Sequence, residues 1–154
     1  MSTILIASAS ALVLFSYKTI ISPLIDTISS TKDIVVKLVK ITPSNISEKI
    51  NDLLIVSDID NIKIFISEIN NEQNPTPFIK TFENYIKDIN EALSIIKQSF
   101  QNIESKVLYH NTLYFSKWRT LDCDKDFDII IKKKMILNDR FNMLINILKI
   151  PQKI

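Results

Sequence analysis

Within residues 78–107 the chain sets an apolar residue at alternating spacings of four and three, without a break: Phe82, Ile86, Ile89, Leu93, Ile96, Phe100, Ile103 and Val107. A helix turns once every 3.6 residues, so this spacing holds one narrow stripe on one face. Lys80, Glu83, Lys87, Asn90, Glu91, Lys97 and Glu104 occupy the flanks and back of the same helix. The pattern is the seam of a helical bundle, and the rest of the chain must supply its partners. It predicts an all-α fold: an antiparallel bundle of four to five helices, with an apolar N-terminal helix.

Composition supports that class. At 154 residues the chain reads as a single domain, 1–154, long enough for a real core. Glycine is absent. Sheet-rich folds of this size need glycine for turns, bulges and phosphate loops, whereas helices joined by Pro, Asn and Ser connections do not. The abundance of Ile, Asn and Lys also matches AT-biased codons, which would deplete glycine independently. A net charge of +2 is too small to argue for nucleic acid, which asks for a clustered basic face. The single cysteine, Cys123, rules out an intramolecular disulfide and fits a reducing, cytoplasmic setting.

The remaining helices can be placed by period and punctuation. A first helix is expected over about 3–22, where Pro23 either interrupts it or kinks a longer one. A more amphipathic stretch follows over 24–41, with Leu24, Ile28, Val35, Leu38 and Val39 on its apolar face. Thr42-Pro43 reads as an N-cap followed by proline at the first helical position. The next helix is expected over 43–69, with a break or register shift at Ser57-Asp58-Ile59-Asp60. Residues 70–77 form a polar loop, and Thr76-Pro77 repeats the cap-plus-proline signal ahead of the seam helix. That helix fades near Leu108 into an aromatic connection with Tyr109, Tyr114, Phe115 and Trp118. The last helix, about 124–149, presents Phe127, Ile130, Leu137, Phe141, Leu144 and Leu148 on one face.

Reactive constellations are not apparent. Asp122, Asp124, Asp126 and Asp128 alternate like the start of a calcium loop. The sixth loop position is Phe127 instead of glycine, and the twelfth is Lys133 instead of glutamate. Carboxylates at a helix N-terminus, facing its free amides and positive dipole end, explain them better. His110 is the only histidine and has no companion ligands in sequence, so an exposed or hydrogen-bonded role is expected. Cys123 has no evident base. Asn45-Ile46-Ser47 fits a glycosylation acceptor of the kind that occurs by chance. No catalytic residue, metal or cofactor is therefore expected, nor a small-molecule substrate or nucleic-acid partner.

The N-terminus differs from everything after it. Between Ser2 and Ile25 the one charged side chain is Lys18. Ile4, Leu5, Ile6, Leu12, Val13, Leu14 and Phe15 make this run apolar round most of its circumference. No basic segment precedes it, unlike a secretory signal. Three roles fit: a core helix of the bundle, a helix that exchanges between bundle and membrane, or a permanent anchor reaching the roughly 20 residues a span needs if Lys18 snorkels. Lys132, Lys133 and Lys134 fan round a helix as a solvated flank or as a contact for acidic lipid headgroups.

An apolar first helix, a second helix, a heptad helix, an aromatic-basic connection and a final amphipathic helix also describe a known family. The chain resembles the four-helix-bundle, HeLo-like N-terminal domain of mixed-lineage kinase-like necroptosis effectors. Fungal HeLo-type domains and the coiled-coil domains of some plant immune receptors are related to it. The likeness runs over Pro77–Leu148: Phe78-Ile79-Lys80-Thr81-Phe82 with Ile86 and Ile89, then Phe115-Ser116-Lys117-Trp118-Arg119, then Asp126-Phe127-Asp128-Ile129-Ile130 and Leu137-Asn138-Asp139-Arg140-Phe141. The resemblance implies a non-enzymatic signalling or interaction domain of cell-death type. Such a domain associates with itself or a protein partner and perturbs anionic membranes through its first helix. No kinase, nucleotide-binding or repeat sequence follows by Ile154, so a free-standing bundle or an excised domain is expected. The competing expectation is a structural subunit of a viral particle or organelle complex, with the first helix as anchor or assembly surface.

Overall fold

The computed structural model describes the backbone of residues 2–71, 79–113 and 120–148, and the side chains of residues 19–69, 80–113 and 120–148. Five helices make up the described backbone: α1 Ser2–Ile41, α2 Ser44–Asp52, α3 Ile55–Asn71, α4 Ile79–Thr112 and α5 Asp124–Leu148. The fold is all-α, and the helices pack against one another as a bundle. Its largest interfaces join α4 to α5 and α4 to α1.

The seam helix is the centre of the fold. All eight stripe residues of α4 are buried, and Leu93, Phe100 and Val107 are 0% exposed. Leu24, Ile28, Val35 and Leu38 of α1 meet the same core, as do Phe127, Ile130, Leu137 and Leu144 of α5. Ion pairs at either end fix how α5 lies on α4. Lys106 pairs with Asp126 at 2.6 Å, and Asp88 with Arg140 at 3.4 Å. As numbers fall along α4 they rise along α5, so the two run antiparallel. Ala92 and Ser99 lie in the strip of α4 between those pairs and are buried, and their small side chains allow close approach of a neighbouring helix.

The directions of the other helices follow from similar pairs. Phe65 and Phe141 meet edge to face with centroids 5.3 Å apart, and Asp58 lies 3.7 Å from Lys134. Both numbers rise together, so α3 and α5 are parallel. α1 turns back at Thr42-Pro43 and reaches α3 through Lys32–Asp60 at 3.0 Å. The bundle is thus up-down-up-down, with α2 as a short first segment of the second arm.

One boundary takes the second of its two expected forms, and three others differ from the sequence expectation. First, α1 is one helix with Pro23 inside it. Proline interrupts the hydrogen-bond ladder at a cost of about 3 kcal/mol, and burial of Ile21, Leu24 and Ile28 around it offsets that cost. Second, the second arm breaks at Leu53-Leu54 and not at residues 57–60. Its buried positions run Ile46, Ile50, then Ile55, Ile59, Ile62 and Ile66. The step of five from Ile50 to Ile55 would swing an unbroken helix about 140° off the core. Leu54 takes up the mismatch at φ 56°, a left-handed conformation unusual for leucine, and its side chain is exposed.

Third, Pro43 is the N-cap of α2 and Thr42 does not cap it. The Thr42 hydroxyl instead donates back to the Leu38 carbonyl at 2.8 Å and meets the Ser47 hydroxyl at 2.7 Å, so it closes the end of α1. Fourth, α4 continues to Thr112, and Tyr109 is on it as an exposed residue, not in a connection. The Thr76-Pro77 start signal, Phe78, and Tyr114 to Arg119, including Trp118, lie outside the described residues.

Candidate functional site

The residues singled out in the sequence fall into three places. The first is the N-terminal run. Ile4, Leu5, Ile6, Leu12, Val13, Leu14 and Phe15 belong to the helical backbone of α1, and their side chains lie outside the described residues. Among the described residues no helix is long and apolar enough to cross a membrane.

The second place is the lysine triplet on α5, which the structure splits. Lys132 is exposed and Lys133 half-buried. Lys134 turns inward: its ammonium donates to the Leu53 carbonyl and sits 3.7 Å from the Asp58 carboxylate. It therefore holds the α2–α3 break, where a helix end leaves a carbonyl without an intrahelical donor. The headgroup role expected for all three lysines has a physical obstacle at Lys134, whose charge is already engaged. No sequence signal announced this contact, which joins residues 81 apart.

The third place is the junction of α4 with the start of α5. Asp122 accepts a hydrogen bond from the Asp124 amide at 3.0 Å and so satisfies a free donor at the α5 N-terminus. Asp126 does something else. Its carboxylate is buried and takes the 2.6 Å bond from Lys106. That hydrogen bond raises the Lys106 pKa above the ordinary lysine value. Lys49 of α2 adds a tie: it lies 3.6 Å from Asp124 and 5.7 Å from the centre of the Phe127 ring. The four aspartates do not converge, and no cluster of three or more metal-ligating side chains occurs among the described residues.

Cys123 and His110 belong to the same junction. Cys123 is buried, and burial pushes its thiol pKa up. That is the opposite direction from an activated nucleophile, which needs a lowered pKa. His110 is buried near the end of α4, so of the exposed and hydrogen-bonded roles expected for it the exposed one does not hold. It completes a helical row with Ser99, Ile103 and Val107 that faces inward, which the irregular spacing around it had hidden. Asn45 is exposed, but the Ser47 hydroxyl of the glycosylation-like triplet is occupied by Thr42 and by the Val39 carbonyl at 3.2 Å.

One surface was missed by the sequence argument. α5 exposes Ile129, Ile131, Met135, Ile136 and Met143 in addition to burying its inner face. Met135 is 69% exposed. Attention to the inner period concealed a second apolar set on the outer one. Compared with family models, curated proteins and solved structures, the chain matches none of them.

Proposed function

We propose that the chain is a non-enzymatic helical interaction domain, of the cell-death type its sequence resembles, that engages anionic membranes through the N-terminal part of α1. The observation that carries this reading is the contrast along α1. Its later half presents one apolar face to the core, with Leu24, Ile28, Val35 and Leu38 buried. Its first part continues as helix, yet its sequence from Ser2 to Ile25 carries the single charge of Lys18. Apolar surface gains about 25 cal/mol per Å² whether it is buried against protein or against lipid. A helix of that composition is therefore suited to exchange between the two. Lys132, exposed on α5, supports contact with acidic headgroups, while Lys134 is engaged with Leu53 and Asp58.

Replacing Leu12 and Leu14 by glutamate tests the proposal. A charge near the bilayer centre costs a few kcal/mol, on the order of 3. Flotation and leakage of anionic vesicles should be lost while circular dichroism keeps the helical signal. If the unmodified protein neither binds nor permeabilises such vesicles at low salt, the membrane role is wrong. The exposed apolar set of α5 would then favour a structural subunit of a larger assembly.

A further inference from the structure

The outer face of α5 has a pattern of its own. Lys132, Met135 and Asp139 follow one another at spacings of three and four along its exposed line, with Ile136 beside Met135. Met135 and Ile136 are exposed at 69% and 40%. Neither Lys132 nor Asp139 takes part in an ion pair among the described residues, although six such pairs tie the bundle together. An apolar centre thus stands between one free cation and one free anion, spaced seven residues apart.

This arrangement is self-complementary in one orientation. If two α5 helices lie antiparallel about a two-fold axis between residues 135 and 136, Lys132 of one copy faces Asp139 of the other, and the reverse pair repeats it. Met135 and Ile136 close on their counterparts at the axis. A parallel two-fold pairing sets Lys132 against Lys132 and Asp139 against Asp139, which is repulsive. Closed two-fold dimers are the commonest assemblies and use one patch twice. We infer that the outer face of α5 binds the outer face of α5 of a second copy, antiparallel, with Met135 and Ile136 at the axis and two reciprocal Lys132–Asp139 pairs. This deepens the interaction-domain reading above by naming a partner, and it does not depend on membrane binding.

The size of the face sets the strength. α5 has 25 residues, about 37 Å of helix. One helix face of that length falls short of the ~800 Å² per partner typical of stable complexes. The dimer is therefore of the weak, reversible kind.

Sedimentation equilibrium on the full chain tests this. The unmodified protein should be monomeric at about 1 μM and largely dimeric at about 500 μM. Lys132→Asp and Asp139→Lys should each weaken association about tenfold or more, by placing like charges opposite one another. Combining them should restore it to within about threefold of the original, since the pairs reform with signs exchanged. Met135→Glu should abolish it. All these positions are exposed, and an unchanged dichroism spectrum shows that each variant keeps its fold. A protein monomeric throughout, single charge reversals that associate normally, or a double reversal as weak as the singles would overturn the inference. Vesicle flotation of the same samples separates the two readings: a monomer that binds vesicles removes only the pairing, and a dimer that does not bind them removes only the membrane role.

Discussion

α4 and α5 are the two long helices that pack most extensively on each other, and they spend their apolar residues differently. α4 puts its entire eight-residue stripe into the core, and its exposed large apolar residues, Leu108 and Tyr109, sit together near its end. α5 also fills the core, through Phe127, Ile130, Leu137 and Leu144, but leaves Ile129, Ile131, Met135, Ile136 and Met143 outside. Single exposed apolar residues are ordinary on protein surfaces. Five on one helix, with Lys132 and Asp139 in no ion pair among the described residues, are the ground for the pairing proposed above. The regular apolar period of α4 is core, and the apolar surplus of α5 over its own period is the surface on which the proposed pairing rests.

Substitutions should separate the two kinds of residue, and the largest effect belongs to the seam. Leu93→Ala or Phe100→Ala removes a fully buried side chain and should cost about 2–5 kcal/mol in chemical denaturation. A loss below ~1 kcal/mol would break the comparison from the α4 side. Next comes the split lysine triplet. Lys134→Met leaves the Leu53 carbonyl without its donor and the Asp58 carboxylate without its counter-charge, and should cost about 1–3 kcal/mol. Lys132→Met should stay within about 0.5 kcal/mol at low protein concentration. Equal effects at the two positions would show that the α2–α3 break is not held from α5.

The junction of α4 and α5 gives a smaller, pH-dependent effect. Lys106→Met strands the buried Asp126 carboxylate and should cost about 1–2 kcal/mol at neutral pH, since Lys106 itself is half-exposed and partly screened. The raised Lys106 pKa stabilises the fold below the ordinary lysine range, and that contribution fades as pH climbs through the raised value. The raised Cys123 pKa acts earlier. The unfolded thiol ionises above about pH 8.5 while the folded one keeps its proton, so stability falls from there upward. Cys123→Ala should flatten the first part of that alkaline decline. A decline on the acid side of neutrality that vanishes in the same variant would contradict the assignment.

The all-α class, the seam and the limits of α5 could be read from the sequence because each rests on a local period or on local punctuation. The break at Leu53-Leu54 was equally local, since the step from Ile50 to Ile55 contains it. It was misplaced because Ser57, Asp58 and Asp60 look more like a turn than two leucines do. Thr42 and Pro23 show a different limit. Each carries a reliable local preference that packing overrode: core burial carried α1 through its proline, and the Thr42 hydroxyl found a better acceptor behind it. Lys134 and Asp126 could not have been singled out at all, because Leu53 and Lys106 come to them through the tertiary fold. The outer face of α5 was visible letter by letter, but it acquires meaning only once the inner face is known to be covered.

Thermal unfolding followed at low and high protein concentration, on the unmodified chain, Leu93→Ala and Met135→Glu, tests the central distinction between core and interface. Association of the native state raises the midpoint as concentration rises. The unmodified chain should show that rise. Leu93→Ala should melt about 6–15 °C lower at low concentration and still climb with concentration. Met135→Glu should match the unmodified chain at low concentration and fail to climb. A midpoint independent of concentration in the unmodified chain, or a Met135→Glu protein destabilised even when dilute, would contradict the division of α4 and α5 into core and interface.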